Sequence, residues 1–111
     1  EQMAPALRET ATSLALEGAI GVRRAALVQA ILSRFEQAYD DLLAGRFLQV
    51  LSRWRSLSVT LGRPVRVHGL GGQVTLEGVA QDVDDDGALL VRDADGCLHR
   101  VLSGEVSLRP A

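Results

Sequence analysis

Asp82, Asp84 and Asp86 alternate along DVDDDGALLVRD, Gly87 follows, and Asp93 closes a twelve-residue span. That is close to the spacing of a calcium loop, where alternating acids, a turn glycine and a closing acid surround a hard cation with oxygen. Such a loop lies between two helices and closes with glutamate, whose longer reach supplies two oxygens. Here both flanks read as strands, and the closing residue is aspartate. A hairpin tip uses the same residues for other reasons. Aspartate bonds its own backbone, and glycine supplies positive φ. DADG at Asp93–Gly96 repeats that chemistry one strand later. A hairpin that needs no metal is the expected form.

The remaining reactive residues are scattered. HGLGGQV lacks the full spacing of a phosphate-binding glycine loop and opens no helix, so it reads as a turn. His68 and His99 each stand alone on a strand, without a third ligand at zinc spacing. Cys97 has no assignable His/Asp partner and reads as a small strand residue. Trp54 falls at helical spacing with core residues, and Arg53 and Arg55 beside it read as a solvated face. SGEVSLR is the most informative stretch. On a strand, Glu105, Ser107 and Arg109 share one face, and Val106 and Leu108 share the other. That polar row is either a plain exposed face or a carboxylate and guanidinium presented to an anionic ligand.

Composition bounds what such groups can do. The chain has 111 residues, 47% of them hydrophobic, which permits a real core in one small domain or two half-sized units. A net charge of −2 argues against a broad nucleic-acid surface. No apolar run approaches the roughly 20 residues that cross a bilayer, and no signal-peptide pattern opens the chain. The single cysteine excludes an intrachain disulfide, so a cytoplasmic protein is expected. All twelve basic residues are arginine, so no lysine can act on a phosphate or acyl group. The chain opens at EQMAPAL without an initiator methionine, as a fragment or processed product would.

The elements that position these residues change character at Gly62. Leu27, Ile31, Phe35, Tyr39 and Leu42 recur at three- and four-residue intervals between Arg23 and Leu43, with Val28 and Leu32 widening the stripe. That is an amphipathic helix, with Gly45 at its expected stop. A second helix is expected from Phe47 to Leu57, striped by Phe47, Val50, Leu51, Trp54 and Leu57. Upstream, ATSLALEG has Thr12 or Ser13 as a cap for a short helix and Gly18 as its stop. After TLGRP come VRVHG, VTLEGVAQDV, ALLVRD, CLHRV and EVSLR, separated by glycine turns. Five short strands so spaced predict a small antiparallel barrel or curled sheet, and Gly78 within one of them predicts a bulge or bend. The fold class is α+β.

The order and spacing of ATSL, FEQAYDDLLAGRF, LSRWRSLSVTLGRPVRV, GVAQDVDDDGALLV and SGEVSLR resemble the C-terminal part of bacterial biotin–protein ligase, from about Ala11 to Arg109. The resemblance implies that residues 1–61 are the closing helices of a catalytic domain related to class II aminoacyl-tRNA synthetases. Residues 62–111 would be the SH3-like barrel that follows. The family uses ATP, with Mg2+, to form biotinyl-5′-adenylate from biotin, then biotinylates a lysine of a carboxylase's biotin carboxyl-carrier protein. By the match, Thr12, Ser13 and Leu14 lie on or beside a loop that orders over the adenylate. Glu105 and Arg109 lie on the barrel face turned toward ATP. The family's glycine- and arginine-rich biotin loop, central sheet and catalytic lysine have no counterpart here. No catalytic residue is therefore assigned, and the chain is expected to hold no cofactor firmly and to be inactive without the missing catalytic half. No membrane or nucleic-acid partner is expected of it.

A different class remains in play, a non-enzymatic SH3-like interaction module with a helical appendage. Adaptor barrels recognise peptides through aromatic grooves, and residues 62–111 contain no Phe, Trp or Tyr. That composition favours the ligase reading.

Overall fold

Helical spacing becomes helix where expected. A computed structural model of the chain describes residues 4–108, in two compact units, one ending at Tyr39 and one starting at Asp40. Helix α1 runs Arg24–Leu43 and α2 runs Phe47–Leu57. Gly45 ends α1 with φ 77°. Its N–H donates to Leu42 O at 3.1 Å and the Arg46 N–H to Asp41 O at 2.8 Å, a Schellman closure of the last turn. None of α1's residues is buried, whereas α2 buries Leu51.

Upstream of α1, ATSLALEG does not become a helix. Pro5–Leu7 forms a 3₁₀ turn, and Ser13–Gly18 closes as one hydrogen-bonded turn. Ser13 Oγ accepts from the Leu16 N–H at 3.3 Å, as a cap does, and Gly18 follows with φ 91°. Cap and stop are both present, but they stand too close together for a helix to propagate between them.

The alternating half forms five strands: β1 Pro64–His68, β2 Val74–Val83, β3 Leu89–Arg92, β4 Leu98–Val101 and β5 Glu105–Leu108. They make one antiparallel sheet in the order β4-β3-β2-β1-β5. Register slips by one residue opposite Val67/His68 and again between Ala80 and Asp82, leaving Thr75 and Gln81 as the extra residues. Gly78 itself stays in register with Val65, so the expected irregularity flanks it. Val65, Val67, Ala80 and Val91 form the core, with Leu61, Leu76, Leu89 and Val101 packed around it.

Candidate functional site

Strand pairing assembles the row that SGEVSLR promised. Arg66 lies opposite Ser107, and His68 opposite Glu105. Val65 and Val67 pair with Leu108 and Val106 on the other, core-side face. The outer face of the β1–β5 edge therefore carries Arg66, His68, Ser107 and Glu105 together. Arg66 Nε donates to Glu77 Oε1 at 2.8 Å across to β2. His68 uses both ring nitrogens: Nδ1 is 3.1 Å from Gly72 O, and Nε2 is 2.9 Å from Ser107 Oγ. A carbonyl only accepts, so Nδ1 donates to Gly72 O, and in the tautomer with its proton on Nδ1 alone, Nε2 accepts from the Ser107 hydroxyl.

Beside this row lies a cleft of about 580 Å³, lined by His68, the Gly69–Gly72 turn, Ser103, Gly104 and Glu105. Gly104 makes its wall possible. It has φ 125°, and a Cβ there would stand 2.9 Å from His68 O. A glycine thus lets the 103–105 turn lie directly on β1. Glu105 is exposed and lines this cleft; Arg109, its expected companion, lies outside the described residues. Thr12, Ser13 and Leu14 belong to the other compact unit. There Thr12 Oγ1 donates to Glu17 Oε1 at 2.7 Å, Ser13 caps its turn, and Leu14 is exposed.

The acidic stretch is a pair of matching turns between strands. Asp84 Oδ1 accepts from the N–H groups of Asp86 and Ala88 at 3.0 and 2.9 Å. Asp93 Oδ1 accepts from Asp95 and Cys97 at 3.0 and 2.9 Å. The outward oxygens meet cationic or imidazole groups. Arg100 pairs with Asp84 and, at 2.7 Å, with Asp86; His99 Nε2 lies 2.6 Å from Asp93 Oδ2. Arg55 of α2 donates to Asp82 Oδ1 and to Val83 O, both at 2.7 Å. Bonds from Arg55, Arg100 and His99 respectively, with backbone N–H donors behind them, hold Asp82, Asp84 and Asp93 below the usual carboxylate range. Among the described residues, no group of three His, Cys, Asp or Glu is arranged to hold a metal ion.

Two sequence readings change here. Arg55 is not a solvated face; it fastens α2 to the end of β2. Trp54 is 42% exposed rather than core. It walls an apolar groove of about 260 Å³ with Thr60, Val83, Gly87, Leu89, Val106 and Leu108. The strands hold no aromatic residue, and the helix supplies one. The His68–Ser107 pair was missed, because strand alternation puts both on polar faces but only the β1–β5 register makes them neighbours.

Two helices leading into a five-stranded antiparallel sheet, with a polar row on its last strand, define the class as α+β. Residues 60–109 match the family described as "Biotin protein ligase C terminal domain", and the chain carries that domain. Bifunctional ligase/repressor BirA of Bacillus subtilis is 31% identical over 102 residues, 92% of this chain and 30% of that protein. Its Escherichia coli namesake is 30% identical over 95 residues, 86% of this chain and 29% of that one. The biotin protein ligase of Aquifex aeolicus, solved in complex with biotin and ATP, superposes with a TM-score of 0.81 at 22% identity. That match covers 99% of this chain and 46% of the solved one. The chain thus spans about a third of the length of the curated relatives it matches.

Proposed function

We propose that this chain is the C-terminal part of a cytoplasmic biotin–protein ligase, contributing a wall of the nucleotide site and no reacting group. The observation that carries this is similarity to ligases over 92% of the chain, with a family match at residues 60–109 that includes the polar row. On this reading, residues 1–61 close the catalytic domain and residues 62–111 form the terminal barrel domain. The complete enzyme forms biotinyl-5′-adenylate from biotin and ATP with Mg2+, then biotinylates a lysine of a biotin carboxyl-carrier protein.

The chemistry of the cleft fits part of ATP. Its described lining residues include no arginine, so it offers a triphosphate no guanidinium. Glu105 and Ser103 can accept hydrogen bonds from a base amino group or ribose hydroxyls. The glycine turn lets a ligand approach backbone closely. ATP supplies the adenylyl group that activates biotin's carboxylate. Glu105 and Ser103 would hold the nucleoside end, and Arg109 would meet the phosphates or the polar edge of the base. Thr12, Ser13 and Leu14 would belong to the loop that covers the adenylate.

The alternative, a free-standing SH3-like module, is favoured by one feature, the Trp54-walled groove. It does not account for the helices, which continue the similarity to ligases upstream of residue 60. The test is ATP use. In the longer ligase, Arg109→Ala is expected to weaken adenylate formation with respect to ATP by about ten- to a hundred-fold, the worth of a charge-assisted hydrogen bond. Biotin affinity should change far less. The 111-residue chain alone is expected to release no pyrophosphate from ATP and biotin. A folded Arg109→Ala ligase with unaltered ATP dependence would remove the nucleotide role from Arg109.

A further inference from the structure

The geometry points to His68 as a positioning residue for nucleotide use: its imidazole ties terminal strand β5 to the β1–β2 turn and so fixes the row that carries Glu105. The inference rests on the reading of that row as nucleotide-facing. Strand β5 needs such a tie. It is an edge strand, paired to β1 alone over four residue pairs. Three of its four residues are exposed. Edge strands of this kind sit at the low end of local stability. Among the described residues of β5, only Ser107 makes a side-chain hydrogen bond, and its partner is His68 Nε2 at 2.9 Å. Ser107 lies two residues from Glu105 on the same strand, so holding it holds the strand segment that carries Glu105.

The other ring nitrogen makes the tie two-ended. Nδ1 meets Gly72 O at 3.1 Å, in a turn where Gly71 and Gly72 both have positive φ. The cleft's two walls are that turn and the 103–105 segment, and His68 lines the cleft between them. One imidazole therefore sets both walls. Its register partner Glu105 and the Arg66–Glu77 pair share its face, and among the described residues the side-chain bond to Ser107 is that of His68.

The test compares variants in the longer ligase and in this chain. In the ligase, His68→Ala should raise KM for ATP about three- to ten-fold, the worth of one neutral hydrogen bond, with kcat and biotin KM near wild type. His68→Gln, whose amide oxygen can again accept from Ser107, should restore most of the loss. Arg109→Ala runs in parallel. If it raises KM for ATP and His68→Ala does not, the inference fails while the nucleotide reading stands; if neither does, both fail. In the 111-residue chain, hydrogen exchange gives a readout independent of ligase activity. His68→Ala and Ser107→Ala should each speed exchange of the β5 amides and leave β3 unchanged, and the double variant should add little. Unchanged β5 exchange, or equal acceleration throughout the sheet, overturns the tie.

Discussion

Gly78 carries the tightest steric constraint among the glycines. A Cβ there would stand 2.2 Å from Arg92 O and 2.8 Å from its carbonyl carbon. Both atoms belong to the backbone of β3, so no side chain can swing aside. Gly78 also sits in register with fully buried Val65 and two residues before fully buried Ala80. Gly78→Ala must part β2 from β3 at the core. It is expected to destabilise by at least about 1–3 kcal/mol, the usual range for overpacking. Urea unfolding measures this as a lower midpoint at constant slope; an unchanged midpoint would show that the strands separate freely. The sequence marks Gly78 as an interruption within a strand. It does not show the facing carbonyl that makes glycine obligatory, because that contact is set by the β2–β3 register.

At the scale of elements, the β2–β3 and β3–β4 turns join local and distant chemistry. The local part was legible. DDDG and DADG lie between alternating segments, and those residue types make hydrogen-bonded turns. All five strands fall where the alternation places them. The distant part was not legible. Arg55 lies 27 residues before Asp82, and Arg100 lies 16 residues after Asp84. No pattern in the chain pairs them. These partners give the turns a pH signature. Asp82, Asp84 and Asp93 have folded-state values depressed below the ordinary carboxylate value. Their contribution to stability is therefore complete above the unfolded value of about 3.9 and is lost as pH falls through the lower folded values. The stability these three carboxylates supply should be retained down to about pH 5 and lost below about pH 4, lowering the urea midpoint there. Arg100→Ala removes the largest cause of the Asp84 shift and should shrink that acid-side fall. An equal fall in the variant would dismiss Arg100 as its source. Calcium at millimolar concentration should leave the melting temperature unchanged, since Asp84 already has backbone and arginine partners.

At the scale of the whole molecule, the two compact units and the change of pattern at Gly62 divide the chain differently. The change of pattern is near the start of the family match at residue 60. The second compact unit begins at Asp40 and takes in α2. The distinction matters for what folds alone. The core of Val65, Val67, Ala80 and Val91, with Leu61 beside it, lies wholly within the second unit. Leu51 of α2 is buried there at 7% exposure, and Arg55 bonds both Asp82 and Val83 O. A core this small leaves little margin, because small domains bury a modest fraction of their surface. A chain of residues 40–111 should therefore unfold cooperatively. A chain of residues 62–111 loses Leu61, Leu51 and the Arg55 bonds together. It should be markedly less stable or unfolded under the same conditions. Urea titrations followed by circular dichroism measure both chains, and Trp54 fluorescence reports α2 in the longer one. If residues 62–111 prove as stable as residues 40–111, α2 is an appendage and the folding boundary lies at Gly62. If only the longer chain folds, α2 belongs to the terminal domain as a structural part, and the boundary proposed from the change of pattern moves upstream.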